Sequence, residues 1–217
     1  MTDIIKLLIT DDHPVVRDGL VTIISTEPDL EVVDVATNGI EAIQKAMDVK
    51  PDVILMDLVM PRKDGVDAIT GILRNDPQAK ILVLTGYGDN RKIVQSVQAG
   101  AKGFILKDSP PEELLEAIRK VYRNEPVMQG QVLSTLLNGI KSGSEAHVPL
   151  QRLTIRELEI LKLVARGNKN SDVAKFLYIS ERTVTKHVSN ILDKLQLSNR
   201  TQLAFYAAKE GLLEESK

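Results

Sequence analysis

The 217-residue chain contains no cysteine, so it can build neither a disulfide framework nor a thiolate metal site. No apolar run approaches the roughly 20 residues that a membrane-spanning helix needs. The first residues also lack the basic stretch and apolar segment of a secretory signal. A cytoplasmic location without membrane contact is therefore expected. Two nucleotide signatures are missing as well. Asp11-Asp12-His13-Pro14 stands where a Gly-x-Gly-x-x-Gly turn would follow the first apolar run, and no P-loop Gly-Lys-Ser/Thr occurs. Dinucleotide and P-loop nucleotide binding are disfavoured accordingly.

What is present suits two domains. Hydrophobic residues make up 43% of the chain, enough for real cores, and 27% are charged, enough for a solvated surface. The net charge of −2 hides an asymmetry. Residues 1–147 hold 16 Lys/Arg against 22 Asp/Glu, a balance of −6, whereas residues 148–217 hold 12 against 8, a balance of +4. Any nucleic-acid contact is thus expected in the C-terminal part.

Five short apolar runs punctuate the first 107 residues, beginning at Ile5, Val32, Val53, Ile81 and Phe104. Most are continuous and β-branched, as strands buried on both faces of a parallel sheet should be. Helical spacing fills the gaps, for example from Val15 to Ile24 and from Pro110 to Tyr122. Strand and helix alternating in this way predict an α/β sandwich over residues 1–123. Residues 124–149 read as a linker with a short helix from about Val132 to Ile140. Residues 150–217 read as four short helices, separated near Gly167, Tyr178–Ser180 and Leu197–Asn199.

The strand ends carry the chemistry. Ligands of open α/β sheets bind beyond the carboxyl ends of the strands. Asp11 and Asp12 follow the first strand, Asp57 ends the third, Thr85 ends the fourth and Lys107 follows the fifth. Three converging carboxylates repel unless a cation neutralises them, and an all-oxygen set suits Mg²⁺. A carboxylate beside such a cation can attack a phosphoryl group to form an acyl phosphate. A Lys and a Thr can bind the remaining phosphoryl oxygens. Gly86 leaves room for the incoming group, and Pro61 and Gly65 turn the loop after Asp57. Each residue also has a plainer alternative: Asp at a strand end often caps a helix, and Lys often sits in solvent. His13 reads as part of the turn into the first helix, without a chemical role. An Asp-x-Asp phosphatase pattern is absent, because the two Asp are adjacent.

Residues 1 to about 123 resemble the receiver domain of two-component response regulators. The matching features are Asp11-Asp12, Asp57 within Leu55-Met56-Asp57-Leu58-Val59-Met60-Pro61, Leu84-Thr85, and Lys107 within Gly103-Phe104-Ile105-Leu106-Lys107. The resemblance implies a flavodoxin-like fold, with a parallel five-stranded sheet in the order 2-1-3-4-5. It implies Asp57 as phosphoacceptor, with Mg²⁺ held by Asp11, Asp12, Asp57 and the backbone carbonyl of Val59. Thr85 and Lys107 would contact the phosphoryl group, and Phe104 would be the aromatic that turns inward when Thr85 moves. A packed core phenylalanine is the alternative for Phe104.

In the C-terminal part, Thr154 and Glu157 form a capping-box pattern. From Ser180, Val184, Val188, Ile191, Leu192 and Leu195 fall on one helical stripe, opposite Arg182, Thr185, Lys186, Ser189, Asn190 and Asp193. Such a polar, cationic face can enter a major groove, although a solvated face or a protein-interaction module would look the same. Residues about 150–212 resemble the LuxR-type helix-turn-helix of the NarL/FixJ family. The resemblance rests on Leu153-Thr154-x-Arg156-Glu157, Gly167, Asn170, Val173-Ala174, Ile179-Ser180, Thr183-Val184, His187, Asn190-Ile191, Lys194-Leu195 and Arg200. It implies an all-α four-helix domain in which Thr183 to Asn190 carries most recognition contacts. Lys169, Asn170 and Arg200 would lie nearer the phosphates, and the fourth helix would be the dimer contact. His187 would touch the backbone or brace the helix. One departure stands out: the family usually has Lys after Thr-Val, whereas this chain has Thr185 there and Lys186 next.

The combined expectation is a response regulator that accepts a phosphoryl group from a sensor histidine kinase. Phosphorylation at Asp57 would then control homodimerisation and the binding of double-stranded promoter DNA, with contact to RNA polymerase left open. No separate substrate turnover is expected. The rival readings are a phosphate-sink protein and a DNA-binding regulator that ignores phosphorylation.

Overall fold

A computed structural model of the chain describes residues 4–86, 90–125, 127–128 and 153–213. The chain divides into two units, Met1–Val132 and Leu133–Lys217.

In the first unit, β1 (Ile5–Thr10), β2 (Leu30–Ala36), β3 (Val53–Asp57), β4 (Ile81–Thr85), β5 (Gly103–Leu106) and β6 (Val127–Met128) form one sheet in the order β2-β1-β3-β4-β5-β6. Every pairing is parallel. The helices are α1 (Pro14–Ile24), α2 (Gly39–Val49), α3 (Gly65–Asn75), α4 (Asn90–Ala99) and α5 (Pro111–Tyr122). The first five strands have the order 2-1-3-4-5, as the resemblance implies. β3 and β4 are buried at every position, which is why their sequences are apolar without alternation. Leu7, Ile9, Leu55 and Leu82 pack with Leu20, Ile24, Leu115 and Ile118 of α1 and α5. Each such buried side chain contributes up to about 1.5–3 kcal/mol.

The sixth strand corrects the linker expectation. Residues 124–149 were expected to be linker, yet Val127 and Met128 pair with Gly103 and Phe104 of β5. Two residues carry no alternation, so no periodicity marks them in the sequence. The short helix expected from Val132 to Ile140 lies outside the described residues.

The second unit is helical: α6 (Ile155–Ala165), α7 (Asn170–Leu177), α8 (Glu181–Leu195) and α9 (Arg200–Lys209). Their breaks fall where the sequence places them. Gly167 adopts φ +88°, and Tyr178 and Gln196 end α7 and α8 in the left-handed region. The capping box forms at the start of α6, where Thr154 accepts from the Glu157 amide and Glu157 accepts from the Thr154 amide. Ile160, Leu161, Val164, Val173, Val184, Val188, Ile191, Leu195 and Leu203 share one core. The stripe of α8 predicted from spacing is thus its buried side.

Candidate functional site

The strand ends of the first unit bring the acidic residues together. Asp11 is fully buried and Asp57 is 3% exposed. Lys107, just beyond β5, places Nζ 2.7 Å from Asp11 Oδ2 and 2.9 Å from Asp57 Oδ2. The Lys107 ammonium therefore bridges two carboxylates that arrive from different strands. Asp57 titrates above its ordinary value of 3.8 because burial raises it, against the opposing pull of Lys107 and a Val59 backbone hydrogen bond; Asp11 adds a further upward push. Lys107 is held above its ordinary value: burial lowers it, but the two carboxylates outweigh burial.

Asp11, Asp12, His13 and Asp57 each place a ligand atom within 4.8 Å of the others. Asp12 Oδ1 and Asp57 Oδ2 are buried and accept no hydrogen bond of good geometry from the described residues. His13 Nδ1 and Lys107 Nζ lie near them, at 2.8 and 2.9 Å. Buried carboxylate oxygens left short of donors, in an oxygen-dominated set, fit a hard divalent cation such as Mg²⁺. His13, which the sequence reading left without a chemical role, stands inside this group. Its backbone amide donates to Asp11 Oδ1 at 2.8 Å, and its imidazole lies 2.8 Å from Asp12 Oδ1.

Thr85 is buried at the end of β4, and its hydroxyl donates to the Gly86 carbonyl at 3.2 Å. A Cβ at Gly86 would meet nothing within 4 Å among the described residues. Phe104 is fully buried in β5. The Val59 side chain is exposed.

Two supports were not visible in the sequence, and a third, Gly65, was read there only as a turn residue. Arg17 donates from NH1 to the Asp11 carbonyl at 2.8 Å, fixing the turn after β1. Lys92 of α4 donates to the Leu58 carbonyl at 3.2 Å and lies 3.3 Å from Asp64 Oδ2. Gly65 opens α3 against the loop after β3, where a Cβ would clash with the Asp57 carbonyl oxygen. Its amide donates to the Leu58 carbonyl at 3.2 Å. Each contact joins residues too far apart in sequence for local spacing to reveal, except Arg17, which reads as an ordinary helix cation.

In the second unit, α8 exposes Arg182, Thr185, Lys186, Ser189 and Asn190, while Thr183 and His187 are half-buried. Thr183 belongs to the helix start: its amide donates to Ser180 Oγ at 3.1 Å. His187 Nδ1 is buried without a hydrogen bond among the described residues. Lys169 is exposed at the N-cap of α7. Asn170 and Arg200 are bonded to each other, with NH1 of Arg200 donating to Asn170 Oδ1 at 2.9 Å. Most of α9 is buried against its own unit, including Thr201, Leu203, Ala204, Tyr206, Ala207 and Ala208.

The buried acid–lysine centre lies at the strand ends of an α/β unit, and the exposed polar face of α8 belongs to a separate helical unit. The model of the response regulator receiver domain matches residues 7–119, and that of bacterial regulatory proteins of the luxR family matches residues 151–207. The chain belongs to the response regulators that join a receiver to a LuxR-type DNA-binding domain. It is 41% identical over 210 residues to the response regulator protein VraR of Staphylococcus aureus, covering 97% of this chain and 99% of that one. Among solved structures, response regulator ChrA of a heme-sensing two-component system is 32% identical with a TM-score of 0.56, covering 98% of this chain and 100% of that one. A LuxR-family response regulator from Aurantimonas sp. SI85-9A1 is 29% identical with a TM-score of 0.59, over 63% of this chain and 98% of that one. Among the described residues, no helix is long and apolar enough to cross a membrane.

Proposed function

We propose that Asp57 accepts a phosphoryl group from a sensor histidine kinase and that this modification controls dimerisation and promoter binding. The reading rests on one observation: a nearly buried Asp57 whose carboxylate shares the Lys107 ammonium with Asp11. An Asp57 oxygen attacks phosphorus and forms an acyl phosphate. The P–N bond of a phosphohistidine, or the P–O bond of a small phosphodonor, breaks, and the leaving group keeps the electron pair. Asp11, Asp12 and Asp57, with the Val59 carbonyl, would hold Mg²⁺, which when bound supplies charge neutralisation between carboxylate and phosphoryl oxygens. Lys107 then pairs with a phosphoryl oxygen in place of the carboxylate. Thr85 turns its hydroxyl from the Gly86 carbonyl toward the new group. Phe104 occupies the inward position in this account. The modified centre biases a two-state surface, a local charge event with a distant readout.

The second unit then reads DNA as a homodimer through α8, with Lys169, Asn170 and Arg200 nearer the phosphates. α9 forms the dimer contact through the residues its own core leaves partly exposed, Gln202, Phe205 and Lys209. The protein acts in the cytoplasm and turns over no separate substrate. RNA polymerase is the natural next contact for a regulator bound at a promoter.

The test combines chemistry and binding. With Mg²⁺ and acetyl phosphate, the chain should gain the mass of one phosphoryl group in a hydroxylamine-labile linkage, and Asp57→Ala should gain none. Phosphorylated protein should bind selected promoter DNA more tightly and as a dimer. Equal affinity and oligomeric state for both proteins under those conditions would remove phosphorylation from the mechanism.

A further inference from the structure

A hydrogen-bond relay crosses the second unit and ends on the exposed side of α8. Arg200 donates from NH1 to Asn170 Oδ1 at 2.9 Å and from NH2 to the Asn168 carbonyl at 3.1 Å. A guanidinium has donors and no acceptor, so Asn170 must turn its oxygen toward Arg200. Its amide nitrogen then faces the other way and donates to Thr185 Oγ1 at 3.0 Å. Having accepted there, the Thr185 hydroxyl sends its proton to the Glu181 carbonyl one turn back, again at 3.0 Å. The direction of every bond follows from the first.

The consequence falls on Thr185, which is exposed between Arg182 and Ser189 on the polar side of α8. Its only proton donor is consumed inside the protein. What remains for a ligand is the γ-methyl group and one oxygen lone pair. In a major groove, the acceptors of guanine, adenine N7 and thymine O4 all need a donor, which Thr185 cannot supply. Adenine N6 and cytosine N4 can donate to the remaining lone pair but leave the methyl unmatched; the thymine C5-methyl is the base-edge group that a methyl matches.

Resting on the DNA-binding reading above, we propose that Thr185 is a specificity residue that recognises thymine by methyl–methyl contact. Its neighbour Lys186, exposed and all donor, is turned about 100° around the helix. Recognition by the two residues is therefore of opposite chemical kind: Lys186 seeks acceptors, and Thr185 seeks an apolar edge.

The experiment uses the full-length chain. Duplexes are selected from a random pool, and each thymine of the selected sequence is then replaced singly by deoxyuridine, which removes the methyl alone. One position per half-site should lose about fourfold in affinity, the worth of one buried methyl group. Thr185→Val, which keeps a methyl and loses the hydroxyl, should retain this discrimination. Thr185→Ser, which keeps the hydroxyl and loses the methyl, should bind the thymine and uracil duplexes equally. Discrimination that survives in Thr185→Ser, or vanishes in Thr185→Val, overturns the proposal. Specific binding with no thymine–uracil difference anywhere overturns it while leaving DNA reading intact. No specific binding to any duplex overturns both.

Discussion

Two buried carboxylates, one in each unit, meet a lysine and are shifted in opposite directions. Asp57 is raised: burial pushes it up, Lys107 offsets part of that push, and Asp11 adds to it. Glu157 is also pushed up by burial, yet Lys194 and the amide and hydroxyl of Thr154 outweigh it and hold the carboxyl below its ordinary value. The difference lies in how many donors each acid receives. Lys194 reaches both Glu157 oxygens, at 2.8 and 2.7 Å, and the capping box supplies the rest. Lys107 is divided between Asp57 and Asp11. One acid is fully paired and fastens the start of α6 to the end of α8. The other is left short of positive charge, which is what the proposed cation and phosphoryl site requires.

Acid should separate the two. Glu157 has a folded value below its ordinary 4.5, so its stabilisation is complete above that pH and fades as pH falls through the folded value. Asp57 has a folded value above its ordinary 3.8, so its ionisation weakens the fold at neutral pH. That penalty is relieved as pH falls through the raised value.

The largest effect should come from Glu157→Ala. Losing the cap and the charged hydrogen bonds should cost about 3 kcal/mol in urea unfolding of the second unit. It should also flatten that unit's loss of stability below pH 5. A midpoint equal to wild type would show that the pair contributes nothing. Mg²⁺ comes next: about ten times its dissociation constant should stabilise residues 1–132 by ~1.4 kcal/mol over EDTA. Hydrogen exchange should place that protection in the first unit and not around Glu157, and Asp12→Ala should abolish it. Smallest is Asp57→Asn, which in EDTA should stabilise the first unit by on the order of 1 kcal/mol, because a neutral isostere removes an under-paired buried charge. Destabilisation of similar size would mean that Lys107 satisfies Asp57 as fully as Lys194 satisfies Glu157.

The same two residues mark how far the sequence could be read. The strand ends were legible because parallel strands separated by helices must bring Asp11, Asp57, Thr85 and Lys107 to one edge. The Thr154–Glu157 cap was legible because its partners are three residues apart. Lys194, 37 residues beyond Glu157, was not visible as the cap's counter-ion. Nor was the chain from Arg200 through Asn170 to Thr185, whose links span 30 and 15 residues. His13 was set aside because an imidazole after two Asp reads as turn chemistry; its nearness to Asp12 depends on how α1 begins. Contacts fixed by topology can be read from spacing, whereas contacts fixed by packing cannot.

β6 has a bearing on solubility. Its two residues cover the main chain of Gly103 and Phe104, which would otherwise lie on the open edge of the sheet. An apolar edge such as Gly103-Phe104-Ile105-Leu106 invites a strand from another molecule. Val127 and Met128 are enough to cover part of it and too short to offer a full template themselves. The far edge is guarded by other means, with Glu31 and Asp34 placing charge along β2. A chain trimmed before Val127 would keep Asp57 and lose this cover, leaving the strand that holds Phe104 open to self-association.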